Sequence, residues 1–116
     1  MNVLITGAGG LIGSEAVDFY SRLGNNVYGI ENNQREIFFG KKGTVNIRLN
    51  QLLTEHKSFK NFNIDIRDKN AYEKIFQLFK PEVVIHTAGI NSPDYVETNR
   101  ELARDVNIGG LSNILE

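Results

Sequence analysis

Apolar runs that alternate with stretches of helical periodicity predict an α/β chain with a doubly wound parallel sheet. A glycine cluster between the first run and the first helix supports the same reading. Strands that are apolar along their whole length bury both faces, as expected of a parallel sheet covered by helices on two sides. Right-handed crossovers then give the strand order 3-2-1-4.

Each element has a local signal. Val3-Leu4-Ile5 is a short buried run ended by Thr6-Gly7. From Leu11 the period changes, and Leu11, Ile12, Ala16, Val17, Tyr20 and Leu23 fall on one helical face, with Gly24 at the expected stop. Val27-Tyr28-Gly29-Ile30 reads as the second strand. Phe38-Phe39-Gly40 and Lys41-Lys42-Gly43 read as a loop, and Leu49, Leu52 and Leu53 as a short helix. Alternation from Phe59 to Ile66 predicts a third strand at about 61–64. Asp68 is placed to cap the next helix, whose stripe is Ala71, Tyr72, Ile75, Phe76 and Phe79, and Pro81 ends it. Val83-Val84-Ile85-His86 is the fourth strand. A last helix, from about 95 or later, carries Ala103, Val106, Gly110, Leu111 and Ile114 on one face.

The 116 residues make one small domain, expected to be a single partial unit over residues 1–116. With no Cys, disulfides and thiolate metal sites are excluded. Thirteen Lys+Arg against 14 Asp+Glu give a net charge of −1, which argues against nucleic acid as a partner. No apolar run approaches the roughly 18 residues of a membrane span, and the start has no basic n-region, so a cytoplasmic domain is expected. His56 and His86 are the only histidines, and no spacing points to a metal.

The chemistry lies in Thr6-Gly7-Ala8-Gly9-Gly10-Leu11-Ile12-Gly13, a G-x-x-G-x-x-G frame between a strand and a helix. Gly7 allows a tight turn, Gly10 lets the backbone approach a pyrophosphate, and Gly13 lets the helix pack closely. The amides of the first helical turn, with Leu11 and Ile12, suit a phosphate. Glu31 ends the second strand 18 residues after Gly13. A carboxylate there accepts from ribose hydroxyls and repels a 2′-phosphate, which points to NAD rather than NADP and to a Rossmann-type site. Asn32 follows it, and Arg35 is the nearby cation that a 2′-phosphate would use. Asp65-Ile66 closes the third strand, where it can meet the adenine edge. Thr87-Ala88-Gly89 closes the fourth, leaving room for ribose and phosphates.

These motifs, with Asp105-Val106-Asn107-Ile108-Gly109-Gly110, resemble in their order the extended short-chain dehydrogenase/reductases that act as nucleotide-sugar epimerases and dehydratases. The resemblance implies NAD as cofactor, Asn107 in the cofactor site and a homo-oligomer. Within that family the chain is most similar to the CDP-paratose 2-epimerases, through Gly13-Ser14-Glu15-Ala16-Val17, Gly29-Ile30-Glu31-Asn32, Arg35 with Phe38-Phe39-Gly40, and Ser92 with Asp94-Tyr95. It departs from them at Glu31, where Asp is usual, and at Ile90-Asn91 and Pro93. The implied substrate is a nucleotide sugar, specifically a CDP-sugar, epimerised by transient hydride transfer to NAD.

That family's Tyr-x-x-x-Lys pair is not in this sequence: four residues after Tyr20, Tyr28, Tyr72 and Tyr95 stand Gly24, Asn32, Phe76 and Asn99. The chain is therefore expected to be an N-terminal fragment that is inactive alone and carries no catalytic residue. Two alternatives remain open, a non-enzymatic dinucleotide-sensing module and a related dehydratase or 4-epimerase. The apolar fourth strand is expected to be an unpaired edge through which chains associate.

Overall fold

The computed structural model describes residues 1–33, 44–89 and 99–115. Its elements run β1 (Asn2–Thr6), α1 (Leu11–Arg22), β2 (Asn26–Ile30), α2 (Asn46–Glu55), β3 (Phe59–Phe62), α3 (Lys69–Phe79), β4 (Val83–His86), α4 (Arg100–Arg104), a π-helical turn (Asp105–Gly109) and α5 (Gly110–Leu115). The sheet order is β3-β2-β1-β4, with every neighbouring pair parallel. This is the expected order, and β4 is an edge strand among the described residues. No described helix is long and apolar enough to cross a membrane.

Alternation along β1 divides the core. Val3 and Ile5 join Val17, Val27, Leu49, Leu52 and Phe59 on the side covered by α1 and α2. Leu4 joins Ile30, Ile66, Tyr72, Ile75 and Val106 on the other side. There Phe79 stacks on Tyr28 at 4.3 Å between ring centroids. Asp68 caps α3 as expected, its Oδ1 accepting from Ala71 N at 3.2 Å.

Two expectations change. The third strand ends at Phe62, so Asp65 and Ile66 lie beyond it rather than at its tip. The buried face of α1 is Gly13, Ser14, Val17 and Ser21. Leu11, Ile12 and Leu23 are exposed at 87%, 70% and 64%. Three of the four buried residues are small because α1 comes closest to the sheet at Gly13. Val17 is the one branched side chain on that face, with Ala16 and Tyr20 packed partly buried beside it as expected. Leu11, Ile12 and Leu23 lie at the helix ends.

Candidate cofactor site

The C-terminal ends of β1 and β4 lie side by side where the chain changes direction, the position at which a doubly wound sheet opens a crevice. A cavity of about 700 Å3 occupies it. That is within the roughly 300–1,000 Å3 usual for small-molecule and cofactor sites.

The inner wall is made of main chain and short side chains. Gly7 has φ +72°, a left-handed conformation open to glycine, and its N–H donates to Ile30 O at 2.8 Å. A Cβ on Gly7 would meet Thr87 Oγ1 at 2.6 Å, and one on Gly13 would meet Gly7 O at 2.0 Å. The glycine turn, the start of α1 and the end of β4 therefore touch without room for another carbon. The Thr87 hydroxyl donates to Thr6 O at 2.6 Å. Thr6 Oγ1 accepts from Thr87 N at 3.1 Å and Ala88 N at 3.2 Å. With both lone pairs engaged, its proton goes to His86 Nδ1, 2.7 Å away. That fixes His86 as the neutral tautomer protonated on Nε2, and burial pushes its pKa down from 6.5. His86 is thereby held as a structural residue at the end of β4.

Gly10 differs from its neighbours. A Cβ there would meet only Gly7 O, at 3.3 Å, so the fold itself does not demand glycine as it does at Gly13. Gly10 is the N-cap of α1, without a side-chain cap bond, and its carbonyl accepts the first helical bond, from Ser14 N at 2.9 Å. The amides of Leu11, Ile12 and Gly13 precede that bond and face the cavity end of the helix. No acidic side chain occupies that first turn.

The outer wall is built by side chains. Glu31 Oε1 accepts from Gly9 N and Oε2 from Asn33 N, both at 2.9 Å. Asn33, with φ 57°, donates from Nδ2 to Thr44 Oγ1 at 3.0 Å, and its Oδ1 accepts from Val45 N at 2.9 Å. Val45 packs on Gly9, where a Cβ would meet its Cγ2 at 2.7 Å. One asparagine thus ties the β2 end, the Glu31 carboxylate and the start of α2 together.

Over residues 3–116 the chain matches the NAD dependent epimerase/dehydratase family. The chain belongs to that family. It is 31% identical over 116 residues to UDP-glucose 4-epimerase 2 of Oryza sativa, covering 98% of this chain and 27% of the relative. It is 38% identical over 121 residues to a putative UDP-glucose 4-epimerase of Methanocaldococcus jannaschii, covering 98% and 32%. Among solved structures, the UDP-glucose 4-epimerase of Thermotoga maritima, determined with UDP-glucose, superposes with a TM-score of 0.80 at 29% identity over 99% of this chain and 33% of that one. The Thermus thermophilus UDP-glucose 4-epimerase, determined with NAD, gives 0.77 at 30% identity over 99% and 32%. The chain spans about a third or less of the length of these relatives.

Of the site residues expected from the sequence, Gly7, Gly10, Leu11, Ile12, Gly13, Glu31, Asn32, Ile66, Thr87, Ala88 and Gly89 all line the cavity of this family member. Asp65 is not among the lining residues. Its carboxylate is held by Arg67, whose N–H and Nε both donate to Oδ1 at 2.9 Å. Asn107 lies in the π-helical turn, with its Oδ1 3.0 Å from where a Cβ on Gly89 would stand. Arg35, Phe38-Phe39-Gly40, Ile90, Asn91, Ser92, Pro93, Asp94 and Tyr95 fall outside the described residues. Sequence reasoning missed Gly9, Thr44, Val45 and Arg48, and the apolar lining from Ile30, Ile64 and Val106. A second glycine beside Gly10 was the one local hint, because α2 reaches the cavity only through tertiary packing.

Proposed function

We propose that this chain binds NAD as the cofactor part of a nucleotide-sugar epimerase. Glu31 is the observation that carries the reading. Its carboxylate is held by two backbone amides inside the cavity. A carboxylate has about four lone-pair sites, so capacity remains for ribose hydroxyls, while its fixed charge opposes a 2′-phosphate. The residues present fit the group. The open face of Gly10 and the amides of Leu11 and Ile12 would take the pyrophosphate. Ile64 and Ile66 offer an apolar wall to the adenine, and Thr87, Ala88 and Gly89 leave space for the second ribose.

The chemistry supplied by bound NAD would be transient hydride acceptance from a sugar carbon and its return. This chain's residues hold and orient the cofactor. The Tyr-x-x-x-Lys pair of the family is not in the sequence, so the 116 residues alone bind without turning over.

Calorimetric titration with NAD and with NADP tests the reading. NAD is expected to bind more tightly. Gly10→Val should abolish binding by filling the face left for the pyrophosphate, and thermal unfolding of the variant checks that the fold survives the 3.3 Å approach of its Cβ to Gly7 O. Glu31→Ala should weaken NAD and narrow its advantage over NADP. Failure of the unaltered chain to bind either dinucleotide would overturn the assignment.

For the substrate of the whole protein, we propose a CDP-sugar, supported by the resemblance of Arg35 and Phe38-Phe39-Gly40 to the CDP-paratose 2-epimerases. The UDP-glucose 4-epimerase relatives favour a second reading, a UDP-sugar 4-epimerase. Assays of a longer protein carrying this sequence with CDP- and UDP-sugars separate the two. Self-association is proposed as well, supported by the edge position of β4 and by exposed Ile108, Leu111 and Leu115. A monodisperse monomer in sedimentation at high concentration would exclude it for this chain.

A further inference from the structure

The cavity has a charged feature that the NAD reading does not use. Arg48 on α2 and Glu15 on α1 both line it. Arg48 Nη2 and Glu15 Oε1 stand 3.5 Å apart, at the long end of an ion pair, and the Glu15 side chain is 71% exposed. Such a pair contributes about 0–1 kcal/mol, so the guanidinium exchanges it readily for a better acceptor. Arg48 is the one cation among the described lining residues. It lies one helical turn beyond Val45, which packs on Gly9 in the glycine loop. Glu15 lies one turn beyond Leu11, at the end of α1 whose amides face the cavity.

We propose that Arg48 grips the pyrophosphate of the bound dinucleotide, leaving Glu15 to do so. This inference rests on the assignment of the cavity as a dinucleotide site. A guanidinium presents a planar fork of donors that matches phosphate oxygens, and such charge-assisted pairs are about twice as strong as neutral ones. The backbone amides of α1 cannot neutralise the doubly charged pyrophosphate by themselves, since the helix end is equivalent to about half a unit charge. Two sources of phosphate oxygen exist, the pyrophosphate and the ribose 2′-phosphate of NADP. The pyrophosphate is favoured, because the fixed Glu31 carboxylate opposes a 2′-phosphate in the same cavity. Glu15 keeps Arg48 at the mouth of the site and competes with the ligand for it.

The test is titration of the chain and three variants with NAD, NADP, ADP and adenosine, each at low and high salt, with thermal unfolding to check the fold. Arg48→Ala is expected to weaken NAD and ADP about tenfold, leave adenosine unchanged and flatten the salt dependence. Arg48→Lys should recover part of the loss, because it keeps the charge without the fork. Glu15→Gln should tighten NAD and ADP by about twofold to threefold, as removal of a weak competitor predicts. A loss confined to NADP would overturn the pyrophosphate assignment in favour of the 2′-phosphate. An equal loss for adenosine would make Arg48 a packing residue. Unchanged NAD affinity in Arg48→Ala, with the unaltered chain binding, overturns this inference alone. No dinucleotide binding by the unaltered chain overturns the cavity's assignment and this inference together.

Discussion

The two walls of the cavity are built on different principles. The inner wall, where β1, α1 and β4 meet, is fixed by sheet register, by glycines that leave no room for a carbon and by the short, bonded side chains of Thr6 and Thr87. Thr6 pairs with His86 in that register, and Gly7 and Gly13 leave no space for a carbon. The outer wall, where β2 meets α2, is fixed by hydrogen bonds from exchangeable side chains: Glu31, Asn33 and Thr44. An inner wall of this kind cannot vary without cost to the fold. An outer wall made of side chains can change its ligand preference while the sheet stays as it is.

The largest expected effect lies on the inner wall. Gly13→Ala would place a Cβ 2.0 Å from Gly7 O, a backbone atom that cannot rotate away. The cost is expected to be about 3 kcal/mol, read as a lower denaturant midpoint, with cofactor binding lost in parallel. A stable Gly13→Ala chain would show that α1 can shift, and the contrast between the walls would fail. Thr6→Val comes next. It keeps the shape of a fully buried residue and removes the hydroxyl that serves Thr87 N, Ala88 N and His86 Nδ1. Thr87 N keeps its bond to Thr6 O at 3.1 Å, but leaving Ala88 N and His86 Nδ1 short of a partner is expected to cost about 2 kcal/mol by chemical denaturation.

The outer wall should respond less. Asn33→Ala removes the bonds to Thr44 and Val45 and puts Ala at φ 57°, for an expected loss of about 1.5 kcal/mol. Asn33→Gly keeps the backbone conformation without the bridge, so it should recover part of the stability. Both variants free the Glu31 end of β2 from α2. Both should therefore weaken NAD and narrow its advantage over NADP by more than their stability loss explains. If they lose stability as heavily as Gly13→Ala, the outer wall is part of the fold core and the distinction between the walls is wrong.

The same contrast explains what could be read from the sequence. The strands, their order and most of the inner wall were legible because they rest on local signals. Those signals are uniform apolar runs, a glycine frame of fixed spacing, and a carboxylate at the end of the second strand. The outer wall was half legible. Glu31 was found, but Asn33, Val45 and Arg48 were not, since Asn33 meets Val45 12 positions further along the chain and α2 has no signal pointing at the cavity. The face of α1 was read correctly at Ala16, Val17 and Tyr20 and wrongly at Leu11, Ile12 and Leu23, for a related reason. Periodicity of large apolar residues marks a core face only where the helix stands far enough off to admit them, and here Gly13, Ser14 and Ser21 share the packing with Val17. Asp65 was drawn towards the cavity by its position after an apolar run, whereas Arg67, two residues on, folds back onto it.

The smallest effect expected tests the inner wall without changing its shape. His86 accepts from the Thr6 hydroxyl in its neutral form, and burial lowers its pKa from 6.5. A protonated imidazole would carry a hydrogen on Nδ1, facing an oxygen whose lone pairs already serve Thr87 and Ala88. The folded chain therefore binds this proton less readily than the unfolded chain. The sign follows from linkage. The stabilising contribution is complete above the unfolded value near 6.5 and is lost as pH falls through the lower folded value. His86→Asn offers Oδ1 to the Thr6 hydroxyl and cannot titrate. Thermal unfolding of both chains between about pH 7.5 and 5 should show the unaltered chain losing stability faster on acidification. The contribution of Asp18, whose carboxyl is held below its ordinary value by the hydrogen bond from His56 at 2.8 Å, is common to both chains and cancels in the difference. Parallel curves would mean that His86 takes up its proton without breaking the Thr6 contact, and that the inner wall is looser than its glycines require.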